Sequence, residues 1–145
     1  MNIKVKKMRE TAILPKRKTI GSAGADLYAN ISDIITILPN QTIKIPTGIA
    51  IEIPSKNYVG LVFGRSGLGI NNGIAPANKV GVIDSDYRGE IIVGLHNSAR
   101  DIFRINPNDR IAQLVIVPVS MATYVEDTEL TDTERGINGF GSTGK

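Results

Sequence analysis

The sequence has no cysteine and no tryptophan, and its one histidine is His96. Without cysteine there are no thiolate zinc sites, redox motifs or cysteine nucleophiles. With one histidine, a histidine-based triad has to use His96, and a two-histidine metal motif cannot form within one chain. Aromatic residues are sparse at 5%. The charge is modest as well: 17 bases face 14 acids, for a net +3. A nucleic-acid binder normally carries a denser basic stripe interleaved with aromatics, so no nucleic-acid partner is expected. The one tight basic cluster, Lys16-Arg17-Lys18, reads as a solvated loop or as a site for a small polyanion. Long apolar runs are missing, so no membrane span is expected. Charges break up the N-terminal stretch from Met1 to Met8, which does not resemble a signal peptide. The expectation is a soluble, intracellular, cytoplasmic protein.

What the chain does have is β-branched residues. There are 22 Ile and 10 Val against 8 Leu and 10 Ala, a balance that favours pleated, half-buried strands over helices. Fifteen Gly and seven Pro imply many turns. At 145 residues the chain suits one domain large enough to bury a core without a disulfide or metal staple. Apolar residues recur with a period of two at Ile3 and Val5, at Val59, Leu61 and Phe63, and at Ile91, Val93 and Leu95. The longest such series runs from Ile43 to Ile53 and is interrupted by Pro46-Thr47-Gly48, which reads as a turn or bulge. Ile31–Leu38 and Ile111–Val119 read as further strands, the latter with Gln113 inside it. One helical turn is possible over Ser66–Asn71. The class is all-β, and close strand spacing suggests a sandwich, jelly roll or closed barrel.

Five segments could carry chemistry. Ala23-Gly24-Ala25-Asp26-Leu27-Tyr28-Ala29 places an acid after small residues, where a turn or cap is the simplest reading. Gly64-Arg65-Ser66-Gly67-Leu68-Gly69 follows a strand pattern and could hold phosphate or form an ordinary loop. Gly81 to Gly89 could form a hairpin; on a strand, Asp84 and Asp86 would share one face. Two such carboxylates hold a cation, supply a general base, or cap a polar turn. Asp109 to Leu114 buries Gln113 in an apolar run, where it needs a partner. The last segment, Arg135 to Lys145, holds four glycines. Its Gly139 to Lys145 fits the first seven places of a P-loop. The hydroxyl residue and helix that a P-loop needs next are not supplied, so that reading is set aside. Its glycines, hydroxyls and Arg135 still suit phosphate, and Phe140 could stack on a base.

Together and in this order, the five segments resemble the motifs of the trimeric dUTPase family, dUTP nucleotidohydrolases, over essentially the whole chain. One departure is Gly64, where the family usually has proline. Glycine would loosen this loop where proline would fix φ.

The resemblance implies a jelly-roll-like β barrel, residues 1–134, and a Gly-rich arm, 135–145, that closes over the ligand. It also implies a homotrimer with active sites shared between chains. The implied reaction is hydrolysis of dUTP to dUMP and pyrophosphate, which limits uracil in DNA and supplies dUMP for dTMP synthesis. Asp84 would be the general base. Arg65, Ser66 and Gln113 would contact the phosphates near the reacting end, and Arg135, Ser142 and Thr143 the γ end; Gly67 would also bind substrate. Asn78, Gly81 and Val82 would read uracil, Tyr87 would exclude a 2′-hydroxyl, and Phe140 and Gly141 would cover the base. Magnesium is the implied cofactor, with Asp26 holding it through water. The rivals are a dCTP deaminase or bifunctional deaminase–dUTPase of the same fold, a non-catalytic binding or regulatory relative and an oligonucleotide-binding barrel.

Overall fold

In a computed structural model, the chain is described over residues 1–139. These residues fold into eleven strands and one short helix. The elements are β1 (Lys4–Lys7), β2 (Ala25–Tyr28), β3 (Ile35–Ile37), β4 (Thr42–Pro46), β5 (Ile49–Glu52), β6 (Tyr58–Phe63), α1 (Ser66–Asn72), β7 (Ile74–Pro76), β8 (Val80–Ile83), β9 (Ile92–Asn97), β10 (Phe103–Ile105) and β11 (Arg110–Pro118). The strands pair in the orders β2-β11-β6-β8, β4-β9-β7, β1-β5 and β10-β3, and every pairing is antiparallel. The β-branched composition thus yields the all-β class read from it.

The period-two pattern sets which side chains turn inward. On β9, Val93, Leu95 and Asn97 are buried while the residues between them are more exposed. Val93 and Leu95 meet Ile37, Ile45, Ile49, Ile74, Ile91 and Ile105 in one apolar core. Each such side chain stabilises the fold by about 1.5–3 kcal/mol through burial. Asn97 is fully buried with them, and its polar atoms are satisfied. Its Nδ2 donates to the carbonyls of Ile37 (3.0 Å) and Asp101 (2.8 Å), and its Oδ1 accepts from the Ala99 amide (2.9 Å).

The expected interruption at Pro46-Thr47-Gly48 is shorter than read: Pro46 ends β4, and Thr47 and Gly48 bend the chain into β5. Gly48 has φ 70°, a conformation that glycine adopts without a Cβ penalty. Thr47 Oγ1 donates to the Ile91 carbonyl at 2.6 Å. The helix also lies where expected, one residue longer, and ends at Gly73 (φ 65°), whose amide bonds back to Gly69.

Two expectations need correcting. Ile31–Leu38 is a strand only over Ile35–Ile37, because its partner β10 offers three residues. The second is the proposed hairpin over Gly81–Gly89. β8 stops at Ile83 and pairs with β6, not with the chain that follows it. Asp84 begins a turn, with the Tyr87 amide bonded to its carbonyl at 3.2 Å. Asp84 and Asp86 therefore do not alternate along a strand.

Candidate functional site

Four residues of the third segment, Gly81, Val82, Asp84 and Tyr87, together with Asn78 just before it, line one cavity of about 520 Å³ between β8 and β9. β8 is the last strand of its sheet. Its outer edge meets no strand among the described residues, so its backbone donors and acceptors there are free to pair with a flat polar ligand. Gly81 keeps this strand close to its neighbours: a Cβ there would meet Val62 Cβ at 3.2 Å and Asn78 Nδ2 at 3.6 Å. Tyr87 closes one side, its hydroxyl donating to the Glu90 carbonyl at 3.1 Å. The Glu90 carboxylate accepts from the Gly48 amide (2.7 Å) and from Arg9 (3.0 Å). This ties the wall to the Thr47–Gly48 bend between β4 and β5.

A second cluster joins the first, second and fourth segments. β11 lies between β2 and β6, which sets Gln113 opposite both Asp26 and Phe63. Arg65 follows shortly after Phe63. Its Nε donates to Asp26 Oδ1 at 3.0 Å and its Nη1 to the Arg110 carbonyl at 3.0 Å. Arg110 Nη1 donates to Asp26 Oδ2 at 3.1 Å. One carboxylate thus holds two guanidinium groups, and Arg65 is gripped from two directions. Gln113 Nε2 donates to the Gly64 carbonyl at 2.9 Å, the partner that a half-buried amide needs. The contact uses a backbone oxygen, which a proline at position 64 also has, but a Cβ there would lie 3.1 Å from Pro76 Cδ. Ser66 and Gly67 open α1 beside this cluster.

Within one chain Arg65 and Asp84 stand apart, although Gly64 of the second cluster packs near Pro76, which lines the first. On the β6–β8 ladder, Phe63 faces Val80 and Gly60 faces Ile83. Those levels lie about 10 Å apart at the rise of a strand. Arg65 lies beyond the first level and Asp84 beyond the second. Arg135 is elsewhere again: in an exposed segment after β11, its side chain donates to the Asn138 carbonyl and its own carbonyl accepts from the Asn138 amide. Phe140, Gly141, Ser142 and Thr143 lie outside the described residues.

Comparison with known proteins bears directly on this geometry. The dUTPase family model matches residues 10–144. The chain belongs to the dUTPase family. It is 50% identical over 131 residues to the deoxyuridine 5'-triphosphate nucleotidohydrolase of Desulfitobacterium hafniense, covering 90% of this chain and 87% of that protein. The same enzyme of Paraburkholderia phymatum is 45% identical over 145 residues, 100% of this chain and 98% of the other. Among solved structures, the dUTPase of Staphylococcus bacteriophage 80alpha with dUPNHPP superposes with a TM-score of 0.90 at 27% identity, covering 99% of both chains. An Asp-to-Asn mutant of the dUTPase from phage phi11 of S. aureus, described with a structural Mg(II) ion, gives a TM-score of 0.79 at 25% identity and covers 89% of this chain and 98% of the other.

In this dUTPase-family chain, sequence reasoning left three residues without a role. Arg110, inside the fourth segment, completes the grip on Arg65 and Asp26. Glu90 and Gly89 hold the Tyr87 wall. Arg-Ile-Ala-Gln starting a strand was the available signal for Arg110; nothing local signalled Glu90, because its partner Gly48 is distant in sequence. Among the described residues no helix is long and apolar enough to cross a membrane.

Proposed function

We propose that this chain hydrolyses dUTP to dUMP and pyrophosphate. The observation that carries this reading is the cavity bounded by Asn78, Gly81, Val82, Asp84 and Tyr87, in a chain half identical to curated dUTPases. The free edge of β8 pairs with uracil through its backbone, helped by the Asn78 amide. Cytosine reverses the donor pattern at position four and leaves buried polar groups unpaired, a mismatch that is strongly rejected. Thymine's methyl meets the wall of the cavity. Tyr87 packs on deoxyribose and leaves no room for a 2′-hydroxyl.

Asp84 takes a proton from a water molecule, which attacks the α-phosphorus in line. A new P–O bond forms, the bond to the bridging oxygen breaks, and pyrophosphate leaves with its electron pair. Arg65, Ser66, Gly67 and Gln113 hold the phosphates near the reacting end, as positioning and charge neutralisation demand. Residues 135–145 form an arm that closes over the site. Its Arg135, Ser142 and Thr143 take the γ end, and Phe140 and Gly141 cover uracil, excluding bulk water.

Magnesium fits this arrangement in one way. No group of three acidic or histidine side chains could cage a cation among the described residues. Asp26 is one carboxylate already shared by two arginines. An ion that arrives on the triphosphate, keeping waters, asks for no more than one such carboxylate. Asp26 would hold it through water, and the ion would supply charge neutralisation.

The separation of Asp84 from Arg65 along β6 and β8 supports a homotrimer whose sites are shared between copies. No nucleic-acid or membrane partner enters this reading. The deciding experiment is pyrophosphate release from dUTP with magnesium, beside dCTP, dTTP and UTP. Release from dUTP alone is expected. Ammonia from dCTP would instead mark a deaminase, and binding of dUTP without release would mark a non-catalytic relative.

A further inference from the structure

The basic run Lys16-Arg17-Lys18 lies outside the five motifs, yet it is not a free loop. The Asp26 amide bonds to the Lys16 carbonyl at 2.9 Å, forming an isolated antiparallel bridge. That bridge lays the run beside the carboxylate that holds Arg65. Between them opens a cavity of about 410 Å³ lined by Lys16, Arg17, Lys18, Arg110, Asp26 and Asp109, among others. Both acids are already committed. Asp26 binds Arg65 and Arg110, and Asp109 Oδ2 accepts from the Asn106 amide at 2.7 Å and from its side chain at 3.1 Å. Arg17 is anchored through Nε to the Ser22 carbonyl at 2.9 Å, which turns its guanidinium without consuming its terminal nitrogens. The ammonium groups of Lys16 and Lys18 have no hydrogen-bond partner among the described residues.

We propose that this cavity is a polyphosphate subsite adjoining the Asp26–Arg65 cluster. Four cations around two engaged carboxylates leave an excess positive charge that calls for a compact, multiply charged anion. Arg110 belongs to both the cavity and the cluster, so a chain of phosphates could run from one to the other. The anion has two sources under the proposed hydrolysis: the triphosphate tail of arriving dUTP or the departing pyrophosphate. Naming those sources rests on the proposed function; the anion site itself does not.

The test uses the full chain and inorganic pyrophosphate. Calorimetric titration compares the wild type with the double variant Lys16→Gln/Lys18→Gln. A control, Lys6→Gln/Arg100→Gln, removes the same charge from exposed positions that line none of these cavities. Arg17 is left in place because of its bond to Ser22. The double variant should bind pyrophosphate about five- to ten-fold more weakly, from two exposed ion pairs, and the control within two-fold. The wild-type affinity should also fall more steeply with salt than that of the double variant. Equal affinity in wild type and a folded double variant, or an equal loss in the control, overturns the subsite. In turnover assays, a rise in KM for dUTP larger than any fall in kcat assigns the subsite to the triphosphate. Weaker inhibition by pyrophosphate at unchanged KM assigns it to the product. If no dUTP is hydrolysed, the proposed function fails while the calorimetric result still decides the anion site.

Discussion

The hydroxyl of Tyr87 occupies the space that a side chain on Gly89 would need. A Cβ at position 89 would overlap the Tyr87 hydroxyl and Cζ and approach Cε2 within 2.9 Å. The ring can fold back to the Glu90 carbonyl only because position 89 lacks that atom. Gly89→Ala should therefore swing the ring away from its position beside the cavity while leaving β8 and β9 intact. Discrimination against UTP, as the ratio of kcat/KM for dUTP and UTP, should fall by about ten-fold, the scale of one lost steric contact. Tyr87→Phe keeps the ring and loses only the hydrogen bond, and should retain more of the ratio. An unchanged ratio in Gly89→Ala would remove Tyr87 as the barrier to ribose.

Asp84 lies just past the end of β8, at the rim of the same cavity. Asp84→Asn keeps its shape and removes its basicity. Turnover of dUTP should fall by about a thousand-fold, within the range for loss of a general base, while the dUTP dissociation constant stays within a few-fold. Stopped-flow turnover and equilibrium titration would check the two halves. Substantial residual turnover would assign the base elsewhere.

How much of this was legible in the sequence depends on the range of the interaction. Strands β4 and β5 were legible because alternation from Ile43 to Ile53 and the Pro-Thr-Gly break are local signals, whereas their separate partners, β9 and β1, are distant in sequence. Ile31–Leu38 was overread because strand length is set by the partner, and β10 provides only Phe103–Ile105. The site divides the same way. Gln113 declared itself as an amide in an apolar run. Arg110 did not, since its role rests on Asp26, 84 residues away in the chain. The hairpin was misread because glycines at both ends suggest a return, whereas Gly81 serves the close packing of β8 on Val62.

Gln113 is wedged between two of the motifs. Its Nε2 bonds to Gly64, and a Cβ on Gly24 would overlap its Oε1 and lie 3.1 Å from its Cβ and Cδ. Gly24→Ala should displace the amide and release the loop carrying Arg65. We expect kcat/KM for dUTP to fall by about ten- to a hundred-fold, as for a small misplacement of positioning groups. Circular dichroism should match the wild type. Unchanged kinetics would mean that the Gln113 contact does not set the loop.

Asn97 is the polar hub of the core. Asn97→Ala leaves the Ile37 and Asp101 carbonyls and the Ala99 amide without this partner. The loss should be about 2–4 kcal/mol, combining unpaired buried groups with a small cavity. Urea unfolding would measure it. A loss below 1 kcal/mol would show that water or the loop re-satisfies these groups.

Arg65 and Asp84 lie beyond opposite ends of the β6–β8 ladder, and one triphosphate has to reach both. If each site draws them from different copies of a closed assembly, two dead variants should repair one another. Asp84→Asn and Arg65→Gln, each inactive alone, would be unfolded, mixed at equal amounts and refolded. A site is intact when one copy brings its Asp84 and another its Arg65, which random assembly gives in about one quarter of sites. Recovery of activity on that scale, appearing only after mixed refolding, is expected. If one chain supplied both residues, every site in the mixture would still carry one defect, and no activity would return.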